Sequence, residues 1–372
     1  MENKRRSFLK KSALVTLGSV VAAKGLSAMN EDKEKKTIKR VRALGFQWET
    51  LDPFLFCVHH EDFFPEGNEN MGPDVNLLKG RNIGSDFHIK DGWRMYHGKQ
   101  VPGFPGHPHR GFETITVVRK GMVDHSDSLG AAGRYGDGDV QWMTAGKGIQ
   151  HAEMFPLINK DKPNNLELFQ IWLNLPKKSK MVEPHFKMLW NEGIPKFIQD
   201  DENGNKAYVE VITGVLGEHA PTTPPPNSWA ADNNNEVAVW NIKIEKGGTF
   251  YLPAASAGLN RSLYFYEGKK LGLNGSNIDY YHAVDVESDH ILKLEAIDES
   301  ASILVLQGKP INEPVVQHGP FVMNSRQEIQ QAFEDYQKTQ FGGWPWSTYG
   351  PVHDRSKGRF AKHADGKEEV KS

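Results

Sequence analysis

The sequence predicts an all-β protein in two halves, each a sandwich or barrel, closed by one C-terminal helix. Short apolar runs bounded by glycines recur through residues 112–175 and again from 207 onward, with no helical period between them. The 36 glycines and 21 prolines supply the turns that such a chain needs. A length of 372 residues leaves room for two domains of ordinary size.

In chain order, Lys4-Arg5-Arg6-Ser7-Phe8-Leu9-Lys10 resembles the twin-arginine export consensus, and an apolar segment, Ala13 to Ala23, follows it. Leu26-Ser27-Ala28 suits cleavage after Ala28, so residues 1–28 are expected to be a signal peptide and the mature protein to be periplasmic or otherwise extracytoplasmic. That apolar stretch is too short for a transmembrane span, which needs ~20 residues. Residues 29–44 begin highly charged and are expected to be a flexible tether. Cys57 is the only cysteine, which excludes an intramolecular disulfide and suits a small buried hydrophobe. His59-His60-Glu61-Asp62 has metal-ligating residue types, but adjacent strand residues face opposite ways, so a solvated loop is expected.

The chemistry concentrates in His107-Pro108-His109 and His151-Ala152-Glu153. Residues at i and i+2 of a strand share a face, so two such strands side by side converge four ligating groups: His107, His109, His151 and Glu153. Three imidazoles and a carboxylate suit one divalent transition metal, with Fe, Mn, Co, Ni, Cu and Zn all compatible. A lone His-x-His is common without metal; the surrounding residues decide here. HPHRGFETITVV and GDVQWMTAGKGIQHAEMF resemble the pirin family, a two-domain branch of the cupin barrels, as do Asp52-Pro53-Phe54, FQIWLNLP at 169–176 and Gly319-Pro320-Phe321-Val322-Met323-Asn324.

The resemblance implies a bicupin, two tandem cupin β-barrels, with the metal, usually Fe(II), on the four residues just named. It leaves Glu113, which stands where the general cupin signature has its carboxylate, as a neighbour. Residues 63–105 are longer than the equivalent in compact pirins and are expected to overhang the pocket; Trp93, Met95 and Tyr96 either line it or pack the loop down. The first cupin domain is expected over 45–180, a linker over 181–206, and the second domain over 207–345. The second lacks a site, because Ala257–Ser262 stand where its histidine pair would be. Ser325 with Glu328 forms a capping box, and Ile329, Phe333 and Tyr336 share one face of the C-terminal helix. The resemblance implies that this helix folds back across the N-terminal half. Residues 346–372 are expected to be a polar, unstructured tail.

The net charge of −2 and the lack of a basic stripe give nucleic-acid binding no support. The resemblance implies a quercetin 2,3-dioxygenase-like oxidoreductase, taking O2 and a flavonol or other small aromatic or enediol that chelates the metal, with Glu153 also the catalytic base. The alternative it offers is a non-catalytic metal-binding or redox-sensing protein. A monomer is expected, and the export machinery is the one protein partner the sequence names.

Overall fold

The computed structural model describes residues 37–218 and 222–371. The export motif and the first half of the tether, residues 29–36, therefore lie outside the described residues. Two antiparallel sheets face each other in the first half. One runs, in spatial order, His185–Leu189, Val140–Thr144, Phe112–Lys120, Asn164–Asn174, Phe54–Phe64 and Gln47–Glu49. The other runs Glu368–Lys371, Arg359–Lys362, Ala132–Gly136, Met122–Asp127, Ile149–Met154 and Gly103–His109. Phe64, Val118, Val123, Tyr135, Leu166 and Leu168 fill the space between them.

The second half packs a seven-stranded sheet on a four-stranded one. The larger runs Ile38–Ala43, His282–Val286, Asn260–Glu267, Ala301–Gly308, Ala238–Ile244, Lys206–Thr213 and Lys196–Asp200. Its own core includes Phe250, Leu263, Phe265, Leu294 and Ile303. The two barrels meet sheet to sheet: Ile115, Val117, Phe169 and Ile171 from the first pack with Val239, Tyr264, Tyr266 and Leu304 from the second. The strand Phe112–Lys120 is thus buried on both faces, which is why FETITVV reads as a nearly continuous apolar run. Among the described residues the fold is all-β, a double barrel with one α-helix, Arg326–Thr339, after the second barrel.

That helix, Arg326–Thr339, is capped by Ser325, whose side chain accepts from the Glu328 N–H at 3.2 Å. It lies against the first barrel, where Arg110 donates to Asp335 at 2.7 Å and Tyr336 meets Gln150 at 3.0 Å.

Several segments differ from expectation. Residues 38–43, expected in the tether, form an edge strand. Their charge disguised them, because Arg40 and Arg42 both reach the Asp285 carboxylate, at 2.9 and 2.6 Å. His59–Asp62 belong to a long strand, not to a solvated loop. The stretch 181–206 gives each barrel a strand, His185–Leu189 to the first and Lys196–Asp200 to the second. Within the expected unstructured tail, Arg359–Lys362 pairs with Ala132–Gly136 and Glu368–Lys371 pairs with Arg359–Lys362. Buried Arg134 explains that docking: it donates to the carbonyls of His353, Asp354 and Lys357.

Candidate metal centre

The two histidine-bearing strands are antiparallel neighbours, with His107 opposite His151 and His109 opposite Ile149. The pairing shifts between Phe104 and His107, a bulge that turns the histidine pair into the barrel. Gly103 permits the close approach, since at its φ of 131° a Cβ would lie 2.5 Å from the Glu153 carbonyl. One nitrogen from each of His107, His109 and His151 lies within 4.8 Å of the others.

The imidazoles are prepared as ligands. His107 directs Nδ1 at the Pro105 carbonyl, 2.9 Å away, which leaves Nε2 bare. Nδ1 of His109 is 3.4 Å from the Pro320 carbonyl, a weak contact. Both ring nitrogens of His151 are buried and have no hydrogen-bond partner among the described residues. Such an orphan is costly unless something else takes up its lone pair. Burial pushes the pKa of His107 down to about 4 and those of His109 and His151 well below the usual range. All three are neutral, the form that binds a cation, and the donor set fits a divalent transition metal.

Glu153 lies beside this cluster, with Oε2 3.8 Å from His151 Nε2. Its oxygens are held by Thr116 Oγ1 at 2.9 Å and Gln170 Nε2 at 2.7 Å. Burial raises its pKa, partly offset by the Thr116 hydrogen bond. Glu113 takes no part. With odd-numbered Ile115 and Val117 it faces the second barrel, and Thr144 on the neighbouring strand and Ser228 from the second half donate to it.

An aromatic-walled cavity of about 250 Å³ opens onto His107, His109, Thr116, Glu153 and Gln170. Its walls include Phe46, Phe56, Phe104, Phe155 and Trp172. From the 63–105 insertion only Phe87 and Phe104 reach it, whereas Trp93, Met95 and Tyr96 are buried packing residues. Tyr96 still reaches the site indirectly. Its hydroxyl donates to Asp62 at 2.6 Å, so the 2.8 Å contact with His60 Nδ1 requires the proton on that nitrogen. His60, in the cavity wall, keeps Nε2 as an acceptor. Behind the centre, His125 and Asp127 stand across from Glu153 and His151 and contact each other at 3.2 Å.

Sequence reasoning missed Thr116, Gln170 and Trp172. Their signal was available: they alternate with the apolar positions Ile115, Val117, Phe169 and Ile171, and so face the other way, into the first barrel.

Residues 36–173 match the family model for pirin and residues 239–342 that for the pirin C-terminal cupin domain. A Pseudomonas aeruginosa protein provisionally named a quercetin 2,3-dioxygenase is 37% identical over 243 residues, which is 65% of this chain and 80% of that protein. Human pirin is 36% identical over 251 residues, covering 66% of this chain and 80% of its own. The crystal structure of a quercetin 2,3-dioxygenase from Acinetobacter baumannii superposes with a TM-score of 0.63 at 27% identity, covering 83% of this chain and 96% of that one.

Proposed function

Because this chain belongs to the pirin family, we propose that its first barrel is a metal-dependent dioxygenase acting on a flavonol or another metal-chelating enediol. One observation carries the reading: the aromatic-walled cavity opens on two of the three clustered imidazoles and on a buried carboxylate. The names of the relatives support it further. His107, His109 and His151 would hold one divalent metal, Fe(II) by preference, with Glu153 as fourth ligand. When bound, such an ion supplies Lewis acidity that favours ionisation of a chelating hydroxyl.

The rest is the work of the chain's own residues. Phe56, Phe104, Phe155 and Trp172 offer flat apolar walls that seat an aromatic ring and exclude water. Glu153 takes the substrate hydroxyl proton at Oε2, and its raised pKa brings it closer to the value a general base needs near neutrality. Thr116 and Gln170 fix the carboxylate, and the bare Nε2 of His60 accepts from a second hydroxyl. Export through the twin-arginine pathway belongs to the same proposal and rests on residues 4–28.

The test is oxygen uptake by metal-loaded protein with quercetin, alongside elemental analysis of the bound ion. Uptake coupled to loss of flavonol absorbance is expected. Tight quercetin binding without oxygen consumption would instead favour the non-catalytic binding protein.

A further inference from the structure

We infer that the second barrel has a binding site of its own, a cavity at its mouth that takes the carboxylate of a small hydroxylated organic acid on Arg261. The residue stands in the stretch Ala257–Ser262, where a duplicated barrel would carry histidines. On the strand Asn260–Glu267 it shares a face with Leu263 and Phe265, both core residues of that barrel, so its side chain enters the interior. It is 1% exposed.

Its partners are all neutral. Nε donates to Gln307 Oε1 at 2.6 Å and Nη1 to the Pro253 carbonyl at 2.9 Å, while Nη2 finds no acceptor among the described residues. The other buried arginines differ: Arg81, Arg94, Arg110 and Arg134 each pair with an aspartate. Buried charges are normally paired, so Arg261 lacks the counter-charge that its environment calls for. Burial accordingly lowers its pKa, with Glu236 acting only at a distance.

Arg261 and Gln307 line a cavity of about 480 Å³, with Val237, Trp240 and Pro253 forming apolar wall. Asp232 and Glu236 line it as well. These two acids oppose a phosphate or a dicarboxylate, and they offer acceptors to a hydroxyl. A monocarboxylate with an apolar body and a hydroxyl satisfies all three groups.

Calorimetric titration of the metal-loaded full chain tests this, with 4-hydroxybenzoate, 4-hydroxyphenylacetate and 3-(4-hydroxyphenyl)propionate as probes and 4-hydroxybenzamide as uncharged control. At least one acid should bind saturably, and for 4-hydroxybenzoate the preference over the amide should be roughly tenfold or more. Gln307→Glu places an internal carboxylate beside Nε. It should abolish acid binding; because Gln307 Nε2 also donates to the Glu236 carbonyl at 3.1 Å, a cooperative melt is checked first, and Arg261→Lys, which keeps the charge but loses the planar fork, should weaken acid binding at least roughly tenfold as a second variant. His109→Ala should leave acid binding intact, which separates this site from the metal centre. The inference is overturned by failure of all three acids to bind, by equal affinity for 4-hydroxybenzoate and its amide, or by undiminished binding in Gln307→Glu. Loss of binding in His109→Ala would equally overturn it, by placing the acid on the metal.

Discussion

Gln170 Nε2 donates to Glu153 Oε2 at 2.7 Å across the interior of the first barrel, joining its two facing sheets. The bond aims the carboxylate at the histidine cluster instead of leaving it to rotate. Gln170→Leu should keep the metal content of wild type and lower turnover by roughly tenfold, because a misoriented base costs rate without removing a ligand. Elemental analysis beside oxygen-uptake kinetics checks this, and equal loss of metal and rate would mean that Gln170 supports binding of the ion.

His109→Ala and Glu153→Gln should separate the roles of the two ligand types. The first removes an imidazole, so metal occupancy and activity fall together. The second keeps shape and a weakly coordinating oxygen but loses the proton acceptor, so metal is partly retained while turnover drops by roughly 10²–10⁴-fold. Full activity and full metal in Glu153→Gln would remove Glu153 as the base.

Glu113 sets a pH dependence of stability. Burial between the barrels raises its pKa from 4.5 to about 7, opposed by hydrogen bonds from Ser228 and Thr144. The folded state therefore holds a proton that the unfolded chain releases, and wild-type stability falls as pH rises from about 4.5 to 7. Glu113→Gln should gain on wild type by about 3 kcal/mol across that window. Urea unfolding at pH 5 and pH 8 measures it, and the same difference at both values would contradict the claim.

The 63–105 insertion is anchored by the buried Arg94–Asp62 pair at 2.9 Å. Arg94→Leu leaves Asp62 charged and unpaired and should cost about 3–5 kcal/mol. Proteolysis should then cut first within 63–105; unchanged cleavage would show that the remaining contacts, the Tyr96 hydroxyl on Asp62 among them, hold the insertion without Arg94.

Replacing Arg5 and Arg6 together with Lys should keep the protein in the cytoplasm, folded and metal-bound. Fractionation of producing cells checks this, and continued export would assign these residues to another pathway.

The histidine cluster was legible because period-two spacing needs only local sequence, and His107, His109 and His151 carry that period plainly. Thr116 and Gln170 were harder, because their role depends on which strand faces which, and a strand's own residues do not state its partner. His59 and His60 misled for a different reason. Four polar residues in a row look solvated, yet His59 packs on Trp48 and Phe169 while His60 turns to Tyr96. The edge strand Ile38–Ala43 and the tail strand Arg359–Lys362 were hidden by charge whose partners, Asp285 and Asp139, lie far along the chain.

Those two strands cross over: the start of the described chain completes the sheet of the second barrel, and its end completes a sheet of the first. Vectorial synthesis therefore cannot finish the metal-binding half when its own 140 or so residues have emerged. The Arg134 guanidinium waits for the carbonyls of His353, Asp354 and Lys357, the first of them 219 residues further along the chain. A ribosome stalled after His185–Leu189 has emerged but before Arg359–Lys362 has would hold a first barrel with Ala132–Gly136 as an open edge, and circular permutants that bring residues 353–371 ahead of Ala132 should reach the native state sooner.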